Sequence, residues 1–121
     1  MKLTLPEDSL QVQGMFERFA HLCLVGHTHV PFVFEEEEIG ASEGYLEHGD
    51  MLKLGEKRLI INPGGVGQPR DRDPRASYAI YDSEEHSIAH YRVAYDLETT
   101  QAKMEKARLP QFLIDRLARG M

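Results

Sequence analysis

The stretch that most restricts the fold of this chain is Leu22-Cys23-Leu24-Val25-Gly26-His27-Thr28-His29. Four apolar residues in a row leave no polar face, the pattern of a short strand covered on both sides. Gly26 ends the run, and a residue without Cβ lets the backbone turn or approach another group closely. Two histidines follow with one residue between them. In extended backbone, residues i and i+2 point to the same side, so the spacing predicts that His27 and His29 aim at one point beyond the strand end. Neutral imidazole is the commonest metal ligand, and a rigid strand that stops to present two of them is suited to holding a metal ion. A bare His-x-His is more often a pair of solvated loop residues. Here the apolar run before it and Val30-Pro31-Phe32 after it favour the ligand reading.

A second buried run, Leu59-Ile60-Ile61, leads into Asn62-Pro63-Gly64-Gly65-Val66-Gly67. Glycine at 64, 65 and 67 marks a loop that needs unusual dihedrals or passes close to something, and its N–H groups are suited to face an anion. It is not a Walker loop, because no Gly-Lys-Ser/Thr follows. The next stretch, Gln68 to Arg75, is charged but nearly balanced in sign. It reads either as a surface loop with internal ion pairs, each worth little when exposed, or as the source of an arginine for a phosphate, since the guanidinium fork matches phosphate oxygens. Arg70, Arg72 and Arg75 are all candidates.

The remaining elements follow from periodicity. Pro6 to Ala20 reads as a helix with Val12, Met15, Phe16 and Phe19 on one face, capped by Asp8 or Ser9 and packed on the sheet that contains Leu22 to Val25. Val30 to Phe34 reads as a strand, Glu35 to Glu38 as a solvated edge or turn, and Ile39 to Glu43 as a loop. Tyr45 to Leu54 reads as a strand interrupted by a turn at His48-Gly49-Asp50. Ala76 to Tyr81 and His86 to Tyr95 form a hairpin, on which His86 and His90 are ordinary surface or sheet residues. Asp96 caps a helix from Leu97 to Arg108 that Pro110 ends, and Gln111 to Arg119 forms a last helix with Phe112, Leu113 and Leu117 inward.

At 121 residues the chain is read as a single domain spanning 1–121, long enough to bury a core. The net charge of -6 argues against a nucleic-acid or anionic-membrane surface, which needs a basic patch. Cys23 is the single cysteine and has no disulfide partner, as in a reducing, cytoplasmic setting. No stretch approaches the ~20 apolar residues of a membrane span, and the N-terminus lacks the apolar core of a secretory signal.

Gly26-His27-Thr28-His29 after an apolar strand, with Asn62 to Tyr78 (NPGGVGQPRDRDPRASY) downstream and Ala94-Tyr95-Asp96 leading into a helix, resembles the C-terminal part of the calcineurin-like metallophosphoesterases of the small bacterial and archaeal phosphodiesterase type. The resemblance implies an α/β fold, the C-terminal half of an α/β/β/α sandwich, with mostly β-strands, an N-terminal helix and C-terminal helices. It implies a metal-dependent phosphoesterase in which His27 ligates one ion of a two-metal centre and His29 the other. Gly64, Gly65 and Arg70 would shape the phosphate side of the pocket. Manganese is the implied metal, with iron, zinc or nickel as alternatives. The family's Asp-x-His, Gly-Asp-x-x-Asp and Gly-Asn-His blocks are absent from the sequence, and Gly49-Asp50 lacks the second Asp. Two-metal chemistry needs ligands from those blocks, so the chain is expected to bind metal weakly and hydrolyse little alone. The competing expectation is an interaction module, or one half of a split enzyme, that associates with itself or with a chain carrying the N-terminal half. A sheet cut in half leaves open edges and apolar surface.

Overall fold

The computed structural model describes Val12 and residues 14–121. Among the described residues, seven strands form two sheets. β1 (Leu22–Leu24), β2 (Pro31–Glu36), β3 (Ala41–Tyr45) and β5 (Leu59–Pro63) make the first, in the order β1-β5-β2-β3. β4 (Met51–Lys53), β6 (Ala76–Asp82) and β7 (Ser87–Val93) make the second, in the order β4-β7-β6. Two helices follow, α1 (Leu97–Lys106) and α2 (Gln111–Arg119). The sheets face each other through one core. Leu46, Leu59, Ile61 and Ile88 are buried together, with Leu22, Val33, Leu52, Leu54 and Ala79 packed around them. Among the described residues no helix is long and apolar enough to cross a membrane.

β5 explains its own sequence. It lies between β1 and β2, paired parallel with the first and antiparallel with the second, so both faces and both edges are occupied. Leu59, Ile60 and Ile61 are accordingly all buried. Parallel pairing also puts the C-terminal ends of β1 and β5 at the same end of the sheet. Because β2 lies beyond β5, the chain leaving β1 must pass over the end of β5 before Pro31 pairs with Pro63. The two loops singled out from the sequence are therefore brought together by the order of the strands.

The hairpin of β6 and β7 and the last helix form where the periodicity places them, and Asp96 caps α1. Its carboxylate accepts from the Thr99 N–H at 3.0 Å and the Thr99 hydroxyl at 2.7 Å, which hold it below its ordinary value. Asp96→Ala removes this cap and is expected to lower the urea midpoint at unchanged slope.

Three expectations need correction. Glu35 and Glu36 are not a turn but the end of β2, where Lys57 pairs with Glu35 and Glu37 and Arg58 with Glu36. The loop placed at Ile39 to Glu43 is largely β3, whose Ala-Ser-Glu-Gly-Tyr carries little strand propensity and is held by pairing with β2. On α2, Ile114 and Leu117 are buried whereas Phe112 is 66% exposed. Of the helix expected over 6–20, residues 6–11 and 13, including the capping Asp8 or Ser9, lie outside the described residues, and residues 17–20 are not helical. Val12 and residues 14–16 are helical, and Phe16 is buried, its carbonyl accepting from the Arg58 guanidinium.

Candidate metal and phosphate site

The loop that crosses the end of β5 does not run extended. His27 and His29 both have left-handed backbone, at φ 82° and 61°, so the expectation that they share a side through extended i, i+2 geometry is corrected. A non-glycine residue with positive φ is uncommon, and it persists where the surroundings over-determine it. Here the restraint comes from below. Asn62, the last residue before Pro63 and 0% exposed, donates from its amide to the Gly26 carbonyl at 3.2 Å and to the Thr28 hydroxyl at 2.9 Å. Its own carbonyl oxygen accepts from the Gly64 N–H at 2.9 Å. One amide thus ties the histidine loop to the glycine loop.

His29 is oriented further. Its Nδ1 lies 2.9 Å from the Gln68 carbonyl oxygen. A carbonyl only accepts, so Nδ1 carries a proton, and in the neutral ring Nε2 then keeps its lone pair for a Lewis acid. This is the arrangement that ring-nitrogen ligands generally show, with the second nitrogen donating to a carbonyl or carboxylate. Gly65 lies against the same ring, where an added Cβ would stand 3.5 Å from His29 Cγ. The His29 carbonyl accepts from the Arg70 N–H at 3.2 Å. His27 is exposed. Among the described residues no group of three or more His, Cys, Asp or Glu converges. The donor set fits part of a metal centre, two imidazoles of which one has a fixed tautomer, and not a complete one.

The three candidate arginines separate clearly. Arg75 is spent on Asp73, at 2.7 Å, and this contact holds the Asp73 carboxyl below its ordinary value. Arg72 is exposed, with left-handed backbone, and its N–H donates to the Gly120 carbonyl at 2.8 Å. Arg70 is exposed, joined to the His29 carbonyl through its backbone, and among the described residues its guanidinium meets only the Gln68 side-chain oxygen at 3.3 Å. Arg70 is therefore the arginine that the fold attaches to the histidine loop. The Gly64 N–H is already used by Asn62 and is not free for an anion.

Sequence reading missed four supporting residues. Asn62 is one; a polar residue closing an apolar run requires buried partners, and that was the available signal. Ser77 and His90 form a second group. The Ser77 hydroxyl donates to the Pro63 carbonyl at 2.6 Å, so the contact with His90 Nε2 at 2.7 Å has the imidazole as donor. Of the two alternatives read for His90, surface or sheet, the structure has the second: it lies on β7 and is buried. Arg92 is the fourth. Its side chain pairs with Asp71 and reaches Asp73 at 3.8 Å.

Comparison with known proteins gives three findings. The sequence model of the calcineurin-like phosphoesterase superfamily domain matches residues 5–86. An uncharacterised protein of Methanocaldococcus jannaschii is 41% identical over 102 residues, covering 84% of this chain and 40% of that protein. The crystal structure of a metallophosphoesterase from Sphaerobacter thermophilus superposes with a TM-score of 0.86 at 43% identity, covering 93% of this chain and 47% of that one. The chain thus spans less than half the length of both.

Proposed function

Because the chain belongs to the calcineurin-like phosphoesterase superfamily, we propose that it supplies the histidine side of a two-metal phosphoesterase centre and that the reaction it serves is hydrolysis of a phosphate ester. The observation that carries this reading is the His29 ring, whose Nδ1 faces the Gln68 carbonyl and leaves Nε2 bare. Members of this superfamily use divalent metals, and manganese is the assignment made here. A bound divalent ion supplies Lewis acidity toward a phosphoryl oxygen. In the two-metal centre His27 would hold one ion and His29 the other. Arg70 offers a planar fork to phosphate oxygens, and Gly65 leaves room beside the His29 ring. Acidic ligands come from the part of the site that this sequence does not carry.

The test is hydrolysis of bis(p-nitrophenyl) phosphate with and without Mn²⁺. The expected result is slow, Mn²⁺-dependent turnover that His27→Ala/His29→Ala removes. Turnover that is indifferent to both the metal and the histidines would overturn the reading.

A second reading, an interaction module or split-enzyme half, is favoured by β1. It is an edge strand although it is apolar throughout, and Leu24 is 57% exposed. Such an edge pairs readily with another strand. On this reading the chain elutes from a sizing column as a dimer or larger species at micromolar concentration, and elution as a monomer counts against it.

A further inference from the structure

The geometry points to Asn62 as the positioning residue of the histidine pair, an amide clamp that holds Gly26-His27-Thr28-His29 in its strained conformation so that the imidazoles are set before any metal arrives. The inference rests on the metal-ligand reading of His27 and His29 and deepens it.

Strand order makes the clamp necessary. The loop from β1 to β2 has to cross the end of β5, and the residue at that crossing is Asn62. An apolar residue there would leave the Gly26 carbonyl without that partner. A carboxylate there would oppose it, since an ionised carboxylate only accepts. Only a side chain with both a donor and an acceptor can bond Gly26 and Thr28 on one side and the Gly64 N–H on the other.

Two left-handed histidines supply the reason for so firm a tie. Each is disfavoured relative to ordinary backbone, and without a restraint the loop would relax. The bonds from Asn62 flank His27, through Gly26 on one side and Thr28 on the other. His29 is then held by its ring on Gln68 and its carbonyl under Arg70. The clamp therefore acts on His27 from both flanks and on His29 through its neighbour Thr28, while touching neither ring.

The experiment uses the full chain with Ni²⁺ as the probe, titrated calorimetrically near pH 8, above the ordinary histidine pKa of about 6.5. Ring-nitrogen NMR of His29 without metal is the second readout. The variants are Asn62→Asp, which keeps the acceptor for Gly64 but loses the donors, Thr28→Val, which deletes the hydroxyl, Thr28→Ser, which restores it, and His27→Ala/His29→Ala. Asn62→Asp and Thr28→Val are expected to weaken Ni²⁺ binding by roughly tenfold or more, the usual effect of removing a support behind a ligand. Thr28→Ser should bind as the wild type does. In Asn62→Asp, His29 should lose its Nδ1–H preference.

Wild-type affinity in both Asn62→Asp and Thr28→Val, with the His29 tautomer unchanged, would overturn the clamp. If Asn62→Asp does not fold, Thr28→Val on its exposed loop decides. If the double-histidine variant binds Ni²⁺ as tightly as the wild type, the metal reading fails separately. The His29 tautomer in Asn62→Asp then decides the clamp alone, a shift supporting it and retention overturning it.

Discussion

Replacing Gly64 with alanine is expected to lower the stability of the fold by about 2–5 kcal/mol, more than any other single methyl addition in the glycine loop. Gly64 sits at φ 83°, where an L-residue costs about 1–2 kcal/mol. A Cβ there would stand 2.6 Å from Ser77 Oγ and 2.9 Å from Ser77 Cβ, with Pro31 Cδ at 3.2 Å. Ser77 has no easy way to retreat, because it is buried and its hydroxyl joins the Pro63 carbonyl to His90 Nε2. Pushing it aside strands a buried N–H and weakens a buried carbonyl contact, at about 1–3 kcal/mol for an unsatisfied group. Gly65→Ala is the control. Its Cβ meets the His29 ring at 3.5 Å, an ordinary contact, so its urea midpoint should stay within about 1 kcal/mol of wild type. Ser77→Ala in the Gly64→Ala background should cost less than in the wild type, since both act on one contact. Equal midpoints for Gly64→Ala and Gly65→Ala would refute the packing account.

That contrast shows what a sequence can and cannot display. Leu59 to Ile61 and the hairpin of β6 and β7 were legible because their apolar patterns are strong and local, whereas Leu22 to Leu24 forms the expected strand but at the edge of its sheet, with Leu24 57% exposed and not covered on both sides. The last helix was legible to its ends, from Pro110 before it to Gly120 after it. β3 was not, because pairing with β2 is a property of the fold and not of Ala-Ser-Glu-Gly-Tyr. The histidine motif was legible as chemistry, yet its geometry was misjudged. Extended backbone is the default after a strand, and only the strand order reveals that this loop must climb over β5. Among the three arginines the sequence offered no choice. Asp73 lies two residues from Arg75 and engages it, an internal ion pair of the kind the surface-loop alternative anticipated, though not for which arginine. That Arg70 lies under His29 depends on a contact across forty-one positions. Gly64 and Gly65 look alike in sequence and do different things: one makes way for Ser77, the other lies against an imidazole.

Arg92→Ala is expected to destabilise the chain by about 3 kcal/mol. The Arg92 side chain, 3% exposed, sits on β7 beneath the loop from Arg70 to Arg75. It pairs with Asp71, reaches Asp73, and donates to the Arg75 carbonyl at 3.1 Å. Removing one partner of a buried pair costs far more than an exposed pair ever contributes, because the remaining charge loses its compensation. Arg92→Lys should recover only part of the loss, since a single ammonium cannot serve two carboxylates and a carbonyl in the guanidinium's planar geometry. The damage should also spread along the loop. Arg72 donates to the Gly120 carbonyl at 2.8 Å, and Gly120, at φ 62°, packs so close that an added Cβ would lie 2.6 Å from the Asp73 nitrogen. The end of α2 is thus docked on the stretch that Arg92 holds. Arg70, whose N–H binds the His29 carbonyl, lies at the other end of that stretch. In Arg92→Ala, amide exchange at Arg72 and Arg70 should accelerate together while β6 and β7 stay protected. Faster exchange at both amides with an unchanged core would link the buried arginine to the histidine loop. A loss confined to global stability, with the two amides opening only when the whole chain unfolds, would show that Arg92 supports the sandwich and nothing beyond it.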